Sequence, residues 1–229
     1  MSQRSFMAFV LHRRPWRENS FLLELLSPDQ GRVGVVARGA SGRKNNWRQC
    51  LQPFRPLQVF VSGKGELANL NQAEEVEAWA PFQGDALYCG LYMNELTMRL
   101  LPRNDIHPEL FQSYQLSLRH LKSATNLGVP LRYFEMSLLS ALGFGLQLEH
   151  EAESEAPVAA DAFYRYDPEA GPRRTQLSNA YAGDSLLALA QQQLSTARQR
   201  RDAKRLLQQA LAPHLGNKPL VSRQLMKRR

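Results

Sequence analysis

Cysteine is almost missing from this chain. Cys50 and Cys89 are the only two and form no CxxC pair, which excludes a disulfide framework and a structural zinc site built on thiolates, and makes a reducing cytosol the expected setting. No run of about 18 apolar residues occurs, so a membrane-spanning helix is not expected. The start, MSQRSFMAFVLHRRP, has a short apolar stretch without a small-residue cleavage pattern and reads as mature protein. The five histidines, His12, His107, His120, His150 and His214, are scattered, none with a partner at metal-ligand or triad spacing. Neither Gly39-Ala40-Ser41-Gly42-Arg43-Lys44 nor Gly216-Asn217-Lys218-Pro219 fits a phosphate loop, GxxxxGK[ST], so nothing points to nucleotide hydrolysis. Alternating acids at Glu149, Glu151, Glu153 and Glu155 raise a calcium-loop reading, but EF-hand spacing and its glycine are missing, and a solvated loop fits better. Binding without chemistry is the expectation: no enzyme, no cofactor, no metal.

Charge is abundant and comes in three blocks. Residues 1–64 hold 11 basic and three acidic side chains, residues 65–170 hold 6 and 16, and residues 171–229 hold 12 and 2. Two basic ends around an acidic middle suggest a protein that handles polyanions, because clustered Lys and Arg raise the local potential and release counterions on meeting phosphate.

Periodicity divides the chain near residue 80. Phe6, Ala8 and Val10, then Phe21, Leu23 and Leu25, then Val33, Val35 and Ala37, then Leu57, Val59 and Val61 follow the two-residue period of half-buried strands. Turn chemistry lies between them at Ser27-Pro28-Asp29-Gln30-Gly31 and Gly63-Lys64-Gly65. Four or five short strands in residues 1–80 predict a five-stranded OB-type barrel. Residues 81–229 read as a mainly helical domain. One helix ends before Pro102, one begins near Pro108, a third carries Leu131, Phe134, Leu138, Leu139 and Leu142 before Gly143, and a last one spans about Thr196 to Leu215. Residues 145–180 read as an extended, partly strand-like excursion, and the tail from Leu220 is expected to fray. The predicted class is therefore an α+β multidomain chain.

Within the barrel, the loop from Gly39 to Gln52 interleaves Arg43, Lys44, Trp47 and Arg48, and Arg13-Arg14-Pro15-Trp16-Arg17 repeats the pattern. Single-strand nucleic-acid sites use this composition, since cations track the backbone while an aromatic ring stacks on any base. The alternative for Trp47 is a plug tucked into the barrel. Arg13, Arg14, Arg17, Arg38, Arg43, Lys44, Trp47, Arg48 and Lys64 are the DNA-binding candidates.

The segments AFVLHRRPWRENSFLLELLSPDQGRVGVVARGAS from Ala8, LQPFRPL from Leu51, GLYMNEL from Gly90, LRYFEMSLLSALGFG from Leu131 and AKRLLQQALAPHLGNKPLVSR from Ala203 together resemble the RecO family of bacterial DNA repair proteins. The resemblance implies an OB-fold domain followed by a helical one, and binding to single- and double-stranded DNA with annealing of complementary strands. It also implies partnership with RecR and single-stranded DNA-binding protein, help in loading RecA, and a cytoplasmic, nucleoid-associated protein. Many members carry a four-cysteine zinc module where this chain has LQLEHEAESEAPVAADAFYRYDPEAG, so it resembles the metal-free subgroup. For the acidic, apolar-ended tail of single-stranded DNA-binding protein, the matching receptor positions are Arg132, Met136 and Arg201, with Lys204 and Arg205 as rim candidates. An RNA-binding OB module, to which ribose is equally acceptable, and, more remotely, a nuclease are the competing readings.

Overall fold

A computed structural model describes residues 3–40, 47–63, 67–177 and 179–227. Strands β1 (Gln3–Trp16), β2 (Ser20–Ser27), β3 (Gly31–Ala37), β4 (Pro56–Ser62) and β5 (Leu67–Glu75) close a barrel in the order β1-β2-β3-β5-β4. Closure comes from the parallel pairing of β3 with β5, in which Val35 faces Ala68. Strand β1 is long enough to serve two neighbours: its first half pairs with β4, its second with β2, and the register shifts between Val10 and His12. Phe6, Ala8, Val10, Leu23, Leu25, Val35, Leu57 and Val59 fill the interior, as the two-residue period predicts. The expected loop after Gly39 does contain one helical turn, α1 (Trp47–Cys50). Cys50 lies against the core, where burial pushes its thiol up to about 11. Lys64 and Gly65 of the Gly63-Lys64-Gly65 turn, Arg43 and Lys44 fall outside the described residues, as does the side chain of Arg48.

The outer faces of β4 and the start of β5 are part-exposed as the alternation implies, but the middle of β1 and nearly all of β2 are buried on both faces. Phe9 and Leu11 are buried as fully as their inward neighbours, because α2 (Gly84–Leu100) and α3 (Pro108–Ser123) cover that side. The Phe9 ring lies 5.4 Å from Phe111 and 5.3 Å from Tyr114, and the Asn94 amide donates to the Leu11 carbonyl at 2.8 Å. By packing, residues 1–122 with 220–229 therefore form one compact unit and residues 123–219 another, whereas the sequence period changes near residue 80. The difference is physical: periodicity marks where strands give way to helices, and α2 and α3 still pack on the outside of the barrel.

The tail, expected to fray, is helical through α7 (Val221–Lys227) and packs on α2. Glu95 accepts hydrogen bonds from the Val221 and Ser222 amides at 2.9 Å each and from the Ser222 hydroxyl at 2.6 Å, a carboxylate at a helix start where orphan N–H groups favour negative charge. Burial raises the Glu95 carboxyl, but the Ser222 and Val221 bonds and Arg99 outweigh it, and the net shift is downward from 4.5. A depressed folded value means that this stabilisation is complete above about 4.5 and disappears as pH falls through the lower folded value. On acid titration the amide resonances of residues 221–227 should lose helical shifts before the barrel unfolds. In Glu95→Gln that early transition should be missing.

In the second unit, α4 (Gly128–Ala141) and α5 (Gly183–Ala190) pack on α6 (Ala197–Leu215), next to a small sheet ordered β7-β6-β8 from Gly171–Arg174, Phe163–Asp167 and Tyr181–Ala182. Gly143 takes a left-handed φ of 83° just past α4, and Thr196 and Gln199 form a capping box at the start of α6. Hydrogen bonds fasten the stretch between α4 and β6 to the small sheet. The Tyr164 hydroxyl donates to Glu151 and accepts from the Ala159 amide, both at 2.9 Å. Gly183 belongs to the same knot, since a Cβ there would lie 1.9 Å from the Ala159 carbonyl oxygen. Among the described residues no three His, Cys, Asp or Glu side chains are grouped to hold a metal ion, and no helix is long and apolar enough to cross a membrane.

Candidate nucleic-acid interface

The basic residues of the barrel unit separate into those spent on structure and those on display. Arg32 and Arg103 both engage the buried Glu24, Arg32 at 3.3 Å. Burial lowers the Arg32 pKa despite Glu24, and Arg103 adds repulsion. Arg55 is tied to Glu75. These cations hold elements together and leave little charge for a ligand.

Strand register gathers the others. Trp16 pairs with Ser20, Pro15 with Phe21, and Phe21 with Ala37, so the end of β1, the β1–β2 turn and the residue after β3 meet at one end of the barrel. Arg14, Arg17 and Arg38 are all exposed there, and none of them lies in an ion pair among the described residues. The Arg14 guanidinium sits 5.7 Å from the Trp16 ring, itself 37% exposed, and half-buried Arg13 lies 4.7 Å from the Phe21 ring. Exposed cations beside an exposed aromatic face are what a flexible, phosphate-bearing strand requires. Arg17 adopts a φ of 51°, which turns the chain sharply at this corner. Trp47, by contrast, packs half-buried against the barrel core: the plug reading accounts for its position, and its ring is not a free platform.

The second unit separates the predicted tail-binding residues. Arg132, expected as a receptor position, is not on display. It is buried and its Nη2 donates to Glu135 at 2.7 Å, with side-chain exposures of 7% and 0%. The i,i+3 spacing on α4 turns both groups into the packed side of the helix. Met136, four residues on, is half-buried. Arg201 and Lys204 on α6 are exposed, and Arg205 lies over Tyr181 at 4.1 Å while donating to the Ala180 carbonyl at 2.8 Å. Two arginines outside the sequence-based set also cover aromatic rings: Arg198 lies 5.3 Å from Phe163, which is 47% exposed, and, in the first unit, Arg223 lies 5.2 Å from Tyr92. Their common signal was an arginine within a strongly basic helical segment, which does not say which ring it will meet.

A closed five-stranded barrel with a cation-rich end, followed by a helical unit with a basic helix, is the build of an OB-barrel protein with an appended helical part. Residues 1–79 match the family description "Recombination protein O N terminal", and residues 81–224 match "Recombination protein O C terminal". The chain is 46% identical to a DNA repair protein RecO of Methylococcus capsulatus, over 96% of this chain and 91% of that protein. It is 41% identical to the RecO of Pseudoalteromonas atlantica over 99% and 95% of the two chains, and 43% identical to that of Pseudomonas putida over 97% and 96%. The chain belongs to the RecO family of DNA repair and recombination proteins.

Proposed function

We propose that the protein is a non-enzymatic, DNA-binding recombination mediator. The barrel corner and the basic α6 hold the phosphate backbones of single strands, neutralise their mutual repulsion and let complementary bases pair. The protein supplies charge and position, and the bases supply specificity. The observation that carries this reading is the gathering of Arg14, Arg17 and Arg38 at one barrel end with no ion pair to spend their charge among the described residues. Family membership supports a place in repair, with single-stranded DNA-binding protein, RecR and, indirectly, RecA as partners. Exposed Arg201 and Lys204 remain the side chains best placed to meet an acidic protein tail.

The direct test mixes the pure protein with complementary strands coated by single-stranded DNA-binding protein, without nucleotide or added metal. Duplex should form at a rate that rises with protein concentration. No acceleration over the coated strands alone, or cleavage of the strands in place of annealing, would contradict the proposal.

A further inference from the structure

A cleft of about 880 Å³ opens in the 123–219 unit between the β6–β7 hairpin and α6. Arg165, Asp167, Arg173, Tyr181, Arg205 and Gln209 are among its walls. Three guanidinium groups face a ligand there against one carboxylate.

The arrangement runs against sheet stability. Arg165 on β6 stands directly opposite Arg173 on β7, and both are exposed while Tyr164 and Tyr166 point to the buried face. Like charges at opposed cross-strand positions destabilise an antiparallel pair. The lining carboxylate does not resolve this. Asp167 is taken up by the hairpin turn, accepting from the Glu169 amide at 3.0 Å and the Ala170 amide at 3.3 Å, with Arg173 Nε at 3.4 Å. Those amides, with the charges of Arg173 and Arg165, keep its carboxyl below the ordinary range. Arg173 is further held by Glu153 at 2.7 Å. Arg165 has no hydrogen bond or ion pair among the described residues.

The opposite wall offers fixed donors. Arg205 is braced by the Tyr181 ring, the Ala180 carbonyl and Asp202 at 3.6 Å. Gln209 accepts the Tyr181 hydroxyl proton on its carbonyl oxygen at 2.9 Å, which leaves its amide NH₂ as a further donor. An anion entering this cleft meets donors from both sides, two of them already oriented by neighbours, and planar guanidinium groups suit phosphate oxygens.

We propose that this cleft is a second binding site for the phosphodiester backbone of a DNA strand, separate from the barrel corner. The inference rests on the DNA-binding reading above and adds where a second strand would be held. A strand is favoured over an acidic peptide with an apolar end because three guanidinium groups line the cleft against one carboxylate and its apolar lining is open or already covered. Leu177 is 57% exposed, the Tyr181 ring is covered by Arg205, and the Tyr166 that also lines the cleft is itself buried.

The test uses the full chain with a fluorescent oligothymidine. Arg165→Glu, at an exposed position, should weaken binding about tenfold and lower the log-log salt slope by about 0.7 for the lost phosphate contact. Benzoylphenylalanine at position 177 should cross-link to the oligonucleotide, and should still do so when Arg14, Arg17 and Arg38 are all alanine. Unchanged affinity in Arg165→Glu together with no cross-link, while the unmodified chain still binds DNA, overturns the cleft and leaves the barrel reading standing. Failure of the unmodified chain to bind DNA at all overturns both. A cross-link to an acidic tail peptide that excess oligonucleotide does not compete away, or competition by inorganic phosphate with no cross-link to the strand, also overturns it.

Discussion

Glu135→Ala should destabilise the 123–219 unit by about 3–5 kcal/mol, the range for removing one partner of a buried ion pair, and a urea titration of the full chain should show it as an early-melting phase. Arg132 and Glu135 sit one turn apart on α4 with side-chain exposures of 7% and 0%, and the Nε and Nη1 of Arg132 are buried without an acceptor. Truncating the glutamate strands a desolvated guanidinium that has no other ion pair among the described residues. The loss is large against the roughly 5–15 kcal/mol that holds a typical domain together. Replacing both groups at once, as Arg132→Met with Glu135→Leu, should recover most of it, since apolar side chains of similar volume often match a buried pair. A loss below about 1 kcal/mol for Glu135→Ala would mean that the pair behaves as a solvated surface contact.

This changes how tail capture is tested. Arg132→Ala, the substitution that the sequence alone recommends, leaves the Glu135 carboxylate buried without its guanidinium and disturbs every property of the unit. Arg201→Ala removes an exposed side chain from α6 and is the clean probe of the proposed tail contact.

The barrel's interior could be read from the sequence because alternation is a local property: Phe6, Ala8 and Val10 point inward whatever lies outside. The burial of Phe9 and Leu11 could not, because it depends on Phe111, Tyr114 and Asn94, which are close only after folding. The helices α4 and α6 were legible from their helical periodicity, α4 also from the closing Gly143. Helix α5 was not, since it is only eight residues long and its LLALA run is apolar without interruption. The docking of α7 turns on Glu95, far back in the chain. At the site, the cation-rich composition was visible, but its sorting was not. Nothing in the sequence distinguishes Arg32 and Arg55, committed to Glu24 and Glu75, from Arg14, Arg17 and Arg38, which strand register brings to one corner. Arg165 and Arg173 become neighbours only through the β6–β7 pairing.

Replacing Arg14, Arg17 and Arg38 together by alanine should weaken single-strand binding about 100-fold at low salt, on the basis of roughly 1 kcal/mol for each exposed charge-assisted contact. The three positions lie outside the barrel core and in no described ion pair, so the melting temperature should hardly move. The measurement that bears most directly on a cationic grip of the backbone is the salt dependence of this binding, followed in parallel for the natural chain and the triple variant. The natural chain should give a steep log-log slope, and the variant a slope shallower by about 2, at about 0.7 per single-strand phosphate released. A flat titration for the natural chain, or identical slopes for the two proteins, would contradict the account.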